Sequence, residues 1–265
     1  MKPPGPPPAS PSATAWRATP LLLVAALLAA CETIPRTTID AEDDSVLFPT
    51  GRISWQLEAR DSEPAEDEPA AARTRTALEL DVGYGSGEST QQLRDGQVVQ
   101  VGGTALAGPG PILVSADLWN ADLAGRMERL WPSGLGLGGR VGLRYSSLDL
   151  TLRSGSDYAG ASDGTDLSSL GFLAGVEGFY EPVERLRLFV AGSLSWGLEL
   201  SGVASGYEEI TLSTLDLGAA WTLGRHVRLL GGWRRVGYEA DSVEDYLSDL
   251  ELVLSGPFLG LWVTL

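Results

Sequence analysis

The last seven residues of the chain alternate between aliphatic and other side chains. Leu259, Leu261 and Val263 fall on one side of an extended backbone, and the residues between them fall on the other. A period of two residues is typical of a β-strand with one apolar face. Because an apolar strand at a chain end needs a covering partner, we expect it to close a transmembrane β-barrel by pairing with the first strand.

The same period recurs from position 74 onward. It predicts eight strands, at 74–86, 111–130, 134–152, 168–181, 184–200, 208–223, 226–240 and 249–265. The links between them alternate between short turns, at 131–134, 181–184 and 223–226, and longer segments, such as the predicted flexible loop 153–167. Transmembrane barrels have short periplasmic turns and longer outer loops. An even strand number would place both ends of the barrel on the short-turn side.

The two faces of each predicted strand differ in polarity. Leu143 falls on an apolar face, whereas Arg140 and Arg144 fall on the opposite face. An Arg side chain facing mid-bilayer lipid costs roughly 2–4 kcal/mol, so the Arg face is expected to line the lumen. The polarity pattern of strand 111–130 breaks between Leu118 and Leu123, which predicts a β-bulge there.

The same assignment of faces predicts a network of paired charges inside the lumen. Its members are Glu79, Asp81, Asp117, Arg126, Glu128, Arg140, Arg144, Glu177, Arg187, Asp216, Arg228 and Arg234. Eight strands enclose only enough space for side chains or one small ligand. We therefore expect the charges to fill the lumen, because an unpaired buried charge is costly; a proton or ion path is the alternative.

Aromatic residues are placed near both ends of the predicted strands. Those beside the short turns are Trp131, Tyr180 and Trp221, and those towards the long loops are Tyr84, Tyr145, Trp196 and Tyr238. Transmembrane barrels carry aromatic girdles at both membrane interfaces. A soluble β-sandwich or lipocalin-like barrel also alternates, but has no reason to concentrate Trp and Tyr at both strand ends.

The N-terminal 30 residues have the features of a signal peptide. A long, positively charged segment precedes ten apolar residues at 21–30, about half the length that a helix needs to cross a bilayer. The following Leu28-Ala29-Ala30-Cys31 resembles a bacterial lipobox. That resemblance implies cleavage before Cys31, lipidation of this only cysteine, and an N-terminus anchored on the periplasmic side of the outer membrane.

Residues 31–72 are predicted to be an acidic tether. The runs 40–44 and 61–69 are rich in Asp and Glu, and such segments resist packing. Between them, residues 51–60 alternate in polarity and form a possible extra strand. The predicted organisation is therefore a signal peptide at 1–30, a tether at 31–72 and a barrel at 73–265.

The predicted barrel resembles the small eight-stranded outer-membrane proteins of the OmpA and OmpX kind. Gly260, Val263 and Leu265 are similar to the C-terminal signal that the barrel-assembly machinery of those proteins recognises. Two departures are Leu265, where an aromatic residue is usual, and Phe258, where a polar one is expected. The resemblance implies an all-β, antiparallel up-and-down transmembrane barrel, with outer-membrane lipids and the assembly machinery as partners, and a monomeric state.

Composition and chemistry narrow the function further. The formal net charge is −16, which argues against nucleic-acid binding. The only histidine, His226, falls in a short turn, and no cluster of His or Cys indicates zinc or thiol chemistry. No catalysis, metal or cofactor is expected.

The favoured hypothesis is an integral outer-membrane barrel lipoprotein with a structural or surface-interaction role and an unknown outer ligand. One alternative is a soluble, periplasm-facing β lipoprotein that binds an apolar ligand. A second is an outer-leaflet lipid-modifying enzyme that uses His226. A third is a ten-stranded barrel that adds residues 51–60 and part of 97–105.

Overall fold

The computed structural model describes residues 38–40, 46–61, 72–95, 97–155, 160–200, 207–242 and 250–265. All regular structure in these ranges is β. The strands are β1 (Thr38–Asp40), β2 (Phe48–Asp61), β3 (Arg73–Leu93), β4 (Val98–Val99), β5 (Leu106–Ala107), β6 (Gly110–Leu130), β7 (Leu135–Ser154), β8 (Ser162–Val183), β9 (Leu186–Glu199), β10 (Tyr207–Thr222), β11 (Val227–Ser242) and β12 (Leu250–Thr264). In the described ranges, no helix is long and apolar enough to cross a membrane.

Nine strands form a closed ring. β2, β3 and β6 to β12 follow one another around it, and each consecutive pair is antiparallel. The ring closes where β12 pairs with β2 in parallel, from Phe258 opposite Phe48 to Thr264 opposite Ser54. The short strand β1 lies parallel to the start of β12. β4 and β5 form a separate two-stranded sheet.

The predicted number of ring strands is wrong, because residues 51–60 belong to β2 and supply a ninth strand. Without β2, the edges of β3 and β12 would expose unpaired backbone groups. The ten-stranded alternative is also wrong, because residues 97–105 contribute to the separate sheet.

An odd strand number makes the closing pair parallel, so β2 runs from the long-loop end to the short-turn end, like β12. The chain therefore reaches the ring at the long-loop end, where Thr38 pairs with Glu251 and Phe48 begins β2. The expectation that both ends of the ring lie on the short-turn side is wrong. Of the two ends of the ring in the chain, only the C-terminal one, at Thr264, lies there.

The ring has two parts whose faces have opposite polarity. In the part nearer the short turns, the belt, outward side chains are mainly apolar and many inward ones are charged. In the part nearer the long loops, the crown, outward side chains are mainly polar and inward ones mainly apolar. The belt comprises residues 50–57, 76–84, 119–129, 135–146, 169–180, 186–196, 214–222, 227–235 and 256–264, and the crown comprises 46–49, 85–93, 110–118, 147–154, 162–168, 209–213, 236–241 and 250–255.

Strand β7 shows the exchange within one continuous strand. Its outward Val141 and Leu143 are exposed apolar residues in the belt, whereas the outward Asp149 is an exposed carboxylate in the crown. Inward Arg144 in the belt gives way to inward Leu150 in the crown, and both are buried. The pairing of β7 with both neighbours continues through this level without a register shift.

The predicted bulge in β6 is wrong, because the two faces of this strand also exchange polarity between belt and crown. Residues 118 to 123 pair in unbroken register with both β3 and β7. Leu118 and Asp122 both face inward, the first at the bottom of the crown and the second in the belt. The apparent break in the sequence pattern marks an exchange of polarity between the faces, and the strand itself keeps its parity.

The interior of the crown is a hydrophobic core. Leu148, Leu150 and Leu152 of β7 are fully buried in it. The connection between β3 and β6 folds into the same core, where it buries Val101 and Leu106. Residues 97–107, which we call the cap, therefore close the long-loop end of the ring with apolar side chains.

The outward aromatic residues lie largely as predicted. Those exposed beside the short turns are Trp131, Tyr180 and Trp221, and those exposed at the upper edge of the belt include Trp119, Tyr145, Trp196 and Trp233. The placement of Tyr238 in the outer girdle is wrong: it faces inward and is fully buried in the crown. Alternation along β11 puts Tyr238 on the same face as the inward Arg234.

Candidate functional site

The interior of the belt is the main concentration of ionisable side chains in the described ring. Eleven of the predicted network residues have inward positions on their strands: Glu79, Asp81, Arg126, Glu128, Arg140, Arg144, Glu177, Arg187, Asp216, Arg228 and Arg234. They come from seven strands, because each strand presents alternate residues to the inside. The geometry divides them into two clusters, one isolated pair and Arg228.

Asp117 is not part of this network. It is exposed on the outward face of the crown, where its Oδ1 accepts a 2.6 Å hydrogen bond from the Tyr84 hydroxyl. Its assignment to the lumen is wrong, because the inward face of β6 at this level is apolar. Asp122, five residues further along the same strand, is the inward carboxylate.

The structure adds two residues that the sequence interpretation missed, Asp122 and Arg52. Unbroken alternation along β6, counted back from the inward Arg126, would have identified Asp122. Arg52 lies on β2, whose membership in the ring the sequence left undecided. Arg52 and the outward Ile53 point to opposite faces of β2, and this alternation was the sequence signal that could have placed Arg52 inside.

The first cluster is organised around two aspartates. Asp81 Oδ2 accepts hydrogen bonds from Arg52 Nε (3.0 Å) and Nη2 (2.6 Å). Asp122 accepts two from Arg144, at Oδ1 from Nε (2.6 Å) and at Oδ2 from Nη2 (2.7 Å). Arg140 joins the two halves, since its Nη1 lies 3.4 Å from Asp81 and its Nη2 3.5 Å from Asp122.

The second cluster has three glutamates around two arginines. Arg126 lies 3.2 Å from Glu79, and its Nη2 lies 3.0 Å from both Glu128 and Glu177. Arg187 Nη2 approaches Glu128 at 2.8 Å and Glu177 at 3.0 Å. Each arginine is therefore shared between carboxylates, which compensates for the loss of water around buried charges.

Arg234 and Asp216 form a separate bidentate pair. They are directly opposite each other on β11 and β10, and both Nε and Nη2 of Arg234 lie 2.7 Å from the carboxylate oxygens of Asp216. A fork-to-fork pair of this kind is the strongest geometry for a charge-assisted hydrogen bond.

Trp262 links the clusters from the closing strand. Its indole ring is almost fully buried, and four guanidinium carbons lie 4.8–5.7 Å from its centroid, those of Arg52, Arg126, Arg187 and Arg228. Cations are attracted to the face of an indole ring. The same C-terminal strand that closes the ring therefore also supplies the apolar surface on which the interior arginines pack.

Two voids among the interior side chains are small. One, bounded by Arg52, Arg140 and Asp216 among others, has a volume of ≈ 20 Å³, and the other, near Asn120 and Arg234 where the belt meets the crown, has ≈ 10 Å³. A void of this size holds about one water molecule.

Asp163 ties the cap to the ring. This carboxylate is buried at the start of β8, and it accepts hydrogen bonds from the backbone N–H groups of Val101 (2.8 Å), Gly102 (2.9 Å) and Thr104 (3.0 Å). A carboxylate that accepts three backbone donors replaces the water that those groups would otherwise bind. The position falls within the predicted flexible loop 153–167, but it belongs to a strand.

Three outward carboxylates stand side by side on the crown. Asp149 is directly opposite Asp117 on one neighbouring strand and Asp166 on the other. Partial burial, together with the negative charges of Asp166 and Asp117, raises the pKa of the Asp149 carboxyl above its usual value. Among the described residues, no group of His, Cys, Asp and Glu side chains is arranged to hold a metal ion.

The proposed assembly-signal residues lie where β12 pairs with β2 to close the ring, which we call the seam. A Cβ atom at Gly260 would collide with the backbone oxygen of Thr50, so glycine allows β2 and β12 to approach. Val263 faces outward opposite Ile53, and the backbone N–H of Leu265 donates to the Ser54 carbonyl at 2.8 Å. Recognition by assembly machinery stays a prediction. Cys31, the predicted lipidation site, lies outside the described residues.

His226 lies in the turn between β10 and β11. Its side chain is exposed, and its Nδ1 is 3.0 Å from the backbone oxygen of Thr264. The contact joins this turn to the end of the closing strand.

Comparison of the chain with protein-family models, with curated proteins and with solved structures gave no match.

Proposed function

We propose that this chain is an integral outer-membrane β-barrel lipoprotein with nine strands, a filled lumen and a structural or surface-interaction role. The observation that carries the proposal is the exchange of polarity between belt and crown. Large apolar side chains are exposed around the belt, with Phe172 at 74% and Val141 at 67% of their full accessibility. A contiguous apolar surface of this kind promotes aggregation in water, whereas lipid solvates it.

The height of the belt fits a membrane. On β7 the outward apolar residues run from Leu135 to Tyr145, a distance of ten residue steps. At roughly 3.3 Å per step and a strand tilt of about 40°, this run is about 25 Å high, which is the height of the apolar band of outer-membrane barrels. The next outward residues on this strand, Ser147 and Asp149, are polar and suit water above the band.

The interior argues against the soluble alternative. A soluble barrel that binds an apolar ligand needs an apolar cavity, whereas the belt encloses ion pairs and the crown encloses packed aliphatic side chains. The void volumes near 20 Å³ and 10 Å³ also argue against an open channel. We therefore propose that the lumen is structural and that solutes do not pass through it.

Membrane extraction and gel mobility test the proposal. Carbonate-washed membranes should retain the protein, and its mobility on a denaturing gel should change on heating, because a closed barrel resists detergent until heated. Release by carbonate without a heat shift would instead assign the protein to the soluble alternative.

A matched pair of substitutions on β7 sharpens this test. Leu143→Arg places a charge on the outward face of the belt and should destabilise insertion by roughly 2–4 kcal/mol. Thr151→Arg places the same charge on the outward face of the crown, above the proposed bilayer, and should be close to neutral. Equal yields of heat-modifiable protein for both variants would contradict a bilayer at the belt.

The orientation of the ring needs its own experiment. We place the long loops outside, by analogy with other outer-membrane barrels. A cysteine at Ser154, near that end, should then react with a membrane-impermeant maleimide on whole cells, and one at Gly224, in a short turn, should not. The reverse labelling would place the long loops in the periplasm.

A further inference from the structure

The mouth of the ring at the short-turn end contains a pocket whose charge is opposite to that of the protein. Its volume is ≈ 330 Å³, and its described lining comes from β2, β3, β12 and the segment 222–228, which spans the end of β10, the turn and the start of β11. The described lining residues include Arg73, Arg75, Arg225, His226 and Arg228 and no Asp or Glu. Arg73 and Arg75 have partners within the protein, so Arg225 and Arg228 are the guanidinium groups that require an explanation in a chain of net charge −16.

The carboxylates near this pocket contact arginines deeper in the belt. Glu128 and Glu177 are engaged by Arg126 and Arg187. Glu181 lies 3.7 Å from Arg187. Arg75 shares Glu128 at 3.5 Å. Among the described side chains, neither Arg225 nor Arg228 forms an ion pair.

Arg228 packs against an aromatic ring. It is half-buried, and its guanidinium lies 4.8 Å from the centre of the Trp262 ring, which supports it from the interior side. The apolar ring face fixes the plane of the guanidinium and leaves its N–H donors for a group in the pocket. Arg228 is therefore preorganised to donate hydrogen bonds to an anion.

The other lining groups are also suited to an oxyanion. Gln56, Thr222 and Thr264, whose side chains carry hydrogen-bond donors, line the same cavity. One carboxylate is satisfied by one guanidinium, whereas a phosphate group carries up to two charges and three acceptor oxygens that can be contacted from several directions. The pocket volume is at the lower end of the range for small-molecule sites.

We propose that this pocket binds a phosphate group, carried either by a soluble molecule or by an anionic lipid headgroup, with Arg225 and Arg228 as its principal donors. The site is a property of the folded ring and extends beyond the proposed structural role. Because soluble phosphate can be measured without a bilayer, failure of this proposal is distinguishable from failure of the membrane assignment.

The test uses full-length protein in a non-ionic detergent. Inorganic phosphate is titrated by calorimetry, and in a parallel arm native mass spectrometry compares retention of phosphatidylglycerol and phosphatidylcholine. We expect one bound phosphate group per chain in at least one arm, and the arm that responds identifies the source. The Arg225→Gln and Arg228→Gln variants should each bind about ten- to a hundredfold more weakly, since each loses a charged hydrogen-bond donor.

Arg235→Gln is the matched control, because Arg235 is an exposed arginine on the same strand as Arg228 but near the crown. It should bind like the unaltered protein, and circular dichroism should show the same β-content for all variants. Arg225 is itself exposed, so its substitution should leave the fold intact. Absence of binding in both arms, or equal affinity in the Arg225→Gln, Arg228→Gln and Arg235→Gln variants, would overturn the proposal.

Discussion

The belt and the crown are built from the same strands but are stabilised in different ways. Both keep the same alternation and the same register, so the backbone does not distinguish them. In the belt, cross-strand ion pairs fill the inside, whereas in the crown leucines and valines fill it. The difference teaches that a period of two residues identifies a strand but does not by itself show which of its two faces is apolar.

The comparison predicts different responses to the loss of one side chain. A buried charge network is interdependent, because removing one partner leaves the others unpaired in a poorly solvated place. A hydrophobic core responds according to the apolar volume that is removed. Substitutions in the two parts can therefore be ranked.

The largest effect is expected in the belt. Arg126→Met leaves Glu79 without its arginine partner and removes one of the arginines shared by Glu128 and Glu177. We expect the free energy of unfolding to fall by about 3–5 kcal/mol, measured by urea titration in lipid vesicles. The control Arg235→Met removes an exposed outward arginine and should change the free energy of unfolding little; similar losses in both variants would refute the interdependence.

The next effect contrasts the crown interior with the belt exterior on one strand. Leu150→Ala empties a fully buried position in the crown core and should cost about 2–5 kcal/mol. Leu143→Ala, seven residues earlier on the outward face of the belt, creates no cavity and should cost below about 1 kcal/mol. If the two costs were reversed, the assignment of the crown interior as the packed core would be wrong.

A smaller and local effect is expected at the cap. Asp163→Ala removes the acceptor of three backbone hydrogen bonds and should lower the free energy of local opening by about 2 kcal/mol. Hydrogen exchange would report it as faster exchange of the amides of residues 97–107, with the belt unchanged. Asp166→Ala alters an outward carboxylate of the same strand and is the control. Unchanged exchange in the cap of the Asp163→Ala variant would contradict the role of Asp163 in holding the cap to the ring.

The smallest effect concerns the outer row of carboxylates on the crown. The raised pKa of Asp149 means that the folded state binds its proton more readily than the unfolded state, so stability falls as pH rises through this range. Asp149→Asn should therefore stabilise the protein at neutral pH, by about a few tenths of a kcal/mol. The gain should vanish at acidic pH, where the carboxyl is protonated; a thermal melt at both values measures it, and a gain that persists in acid would exclude a charge effect.

The sequence predicted most of the strands because alternation is a local property. All eight predicted strands are present, and their inward positions in the belt follow from parity alone. Two errors within the predicted strands share one cause: polarity was used to assign faces, and the faces exchange polarity at the crown. Asp117 was therefore placed inside, and a bulge was introduced between Leu118 and Leu123.

The residues that the sequence did not predict are placed by pairing between distant parts of the chain. Arg52 could be assigned only after β2 was known to close the ring, and this depends on contacts with β3 and β12 rather than on the residues of β2 itself. The cap was missed likewise, because Val101 and Asp163 are far apart in the sequence and no local pattern links them. The pocket at the short-turn end combines four separate segments.

The parallel seam has a consequence for how the chain assembles. Every other pair in the ring joins strands that are close together along the chain, with at most the short β4 and β5 between them, so each pairing closes a short loop. The seam joins Phe48 to Phe258, some two hundred residues apart, and bears the largest loop-closure entropy in the ring. Closure is therefore the last step, and it depends on the final strand: an incomplete chain can form hairpins but has no Trp262 on which to gather its arginines.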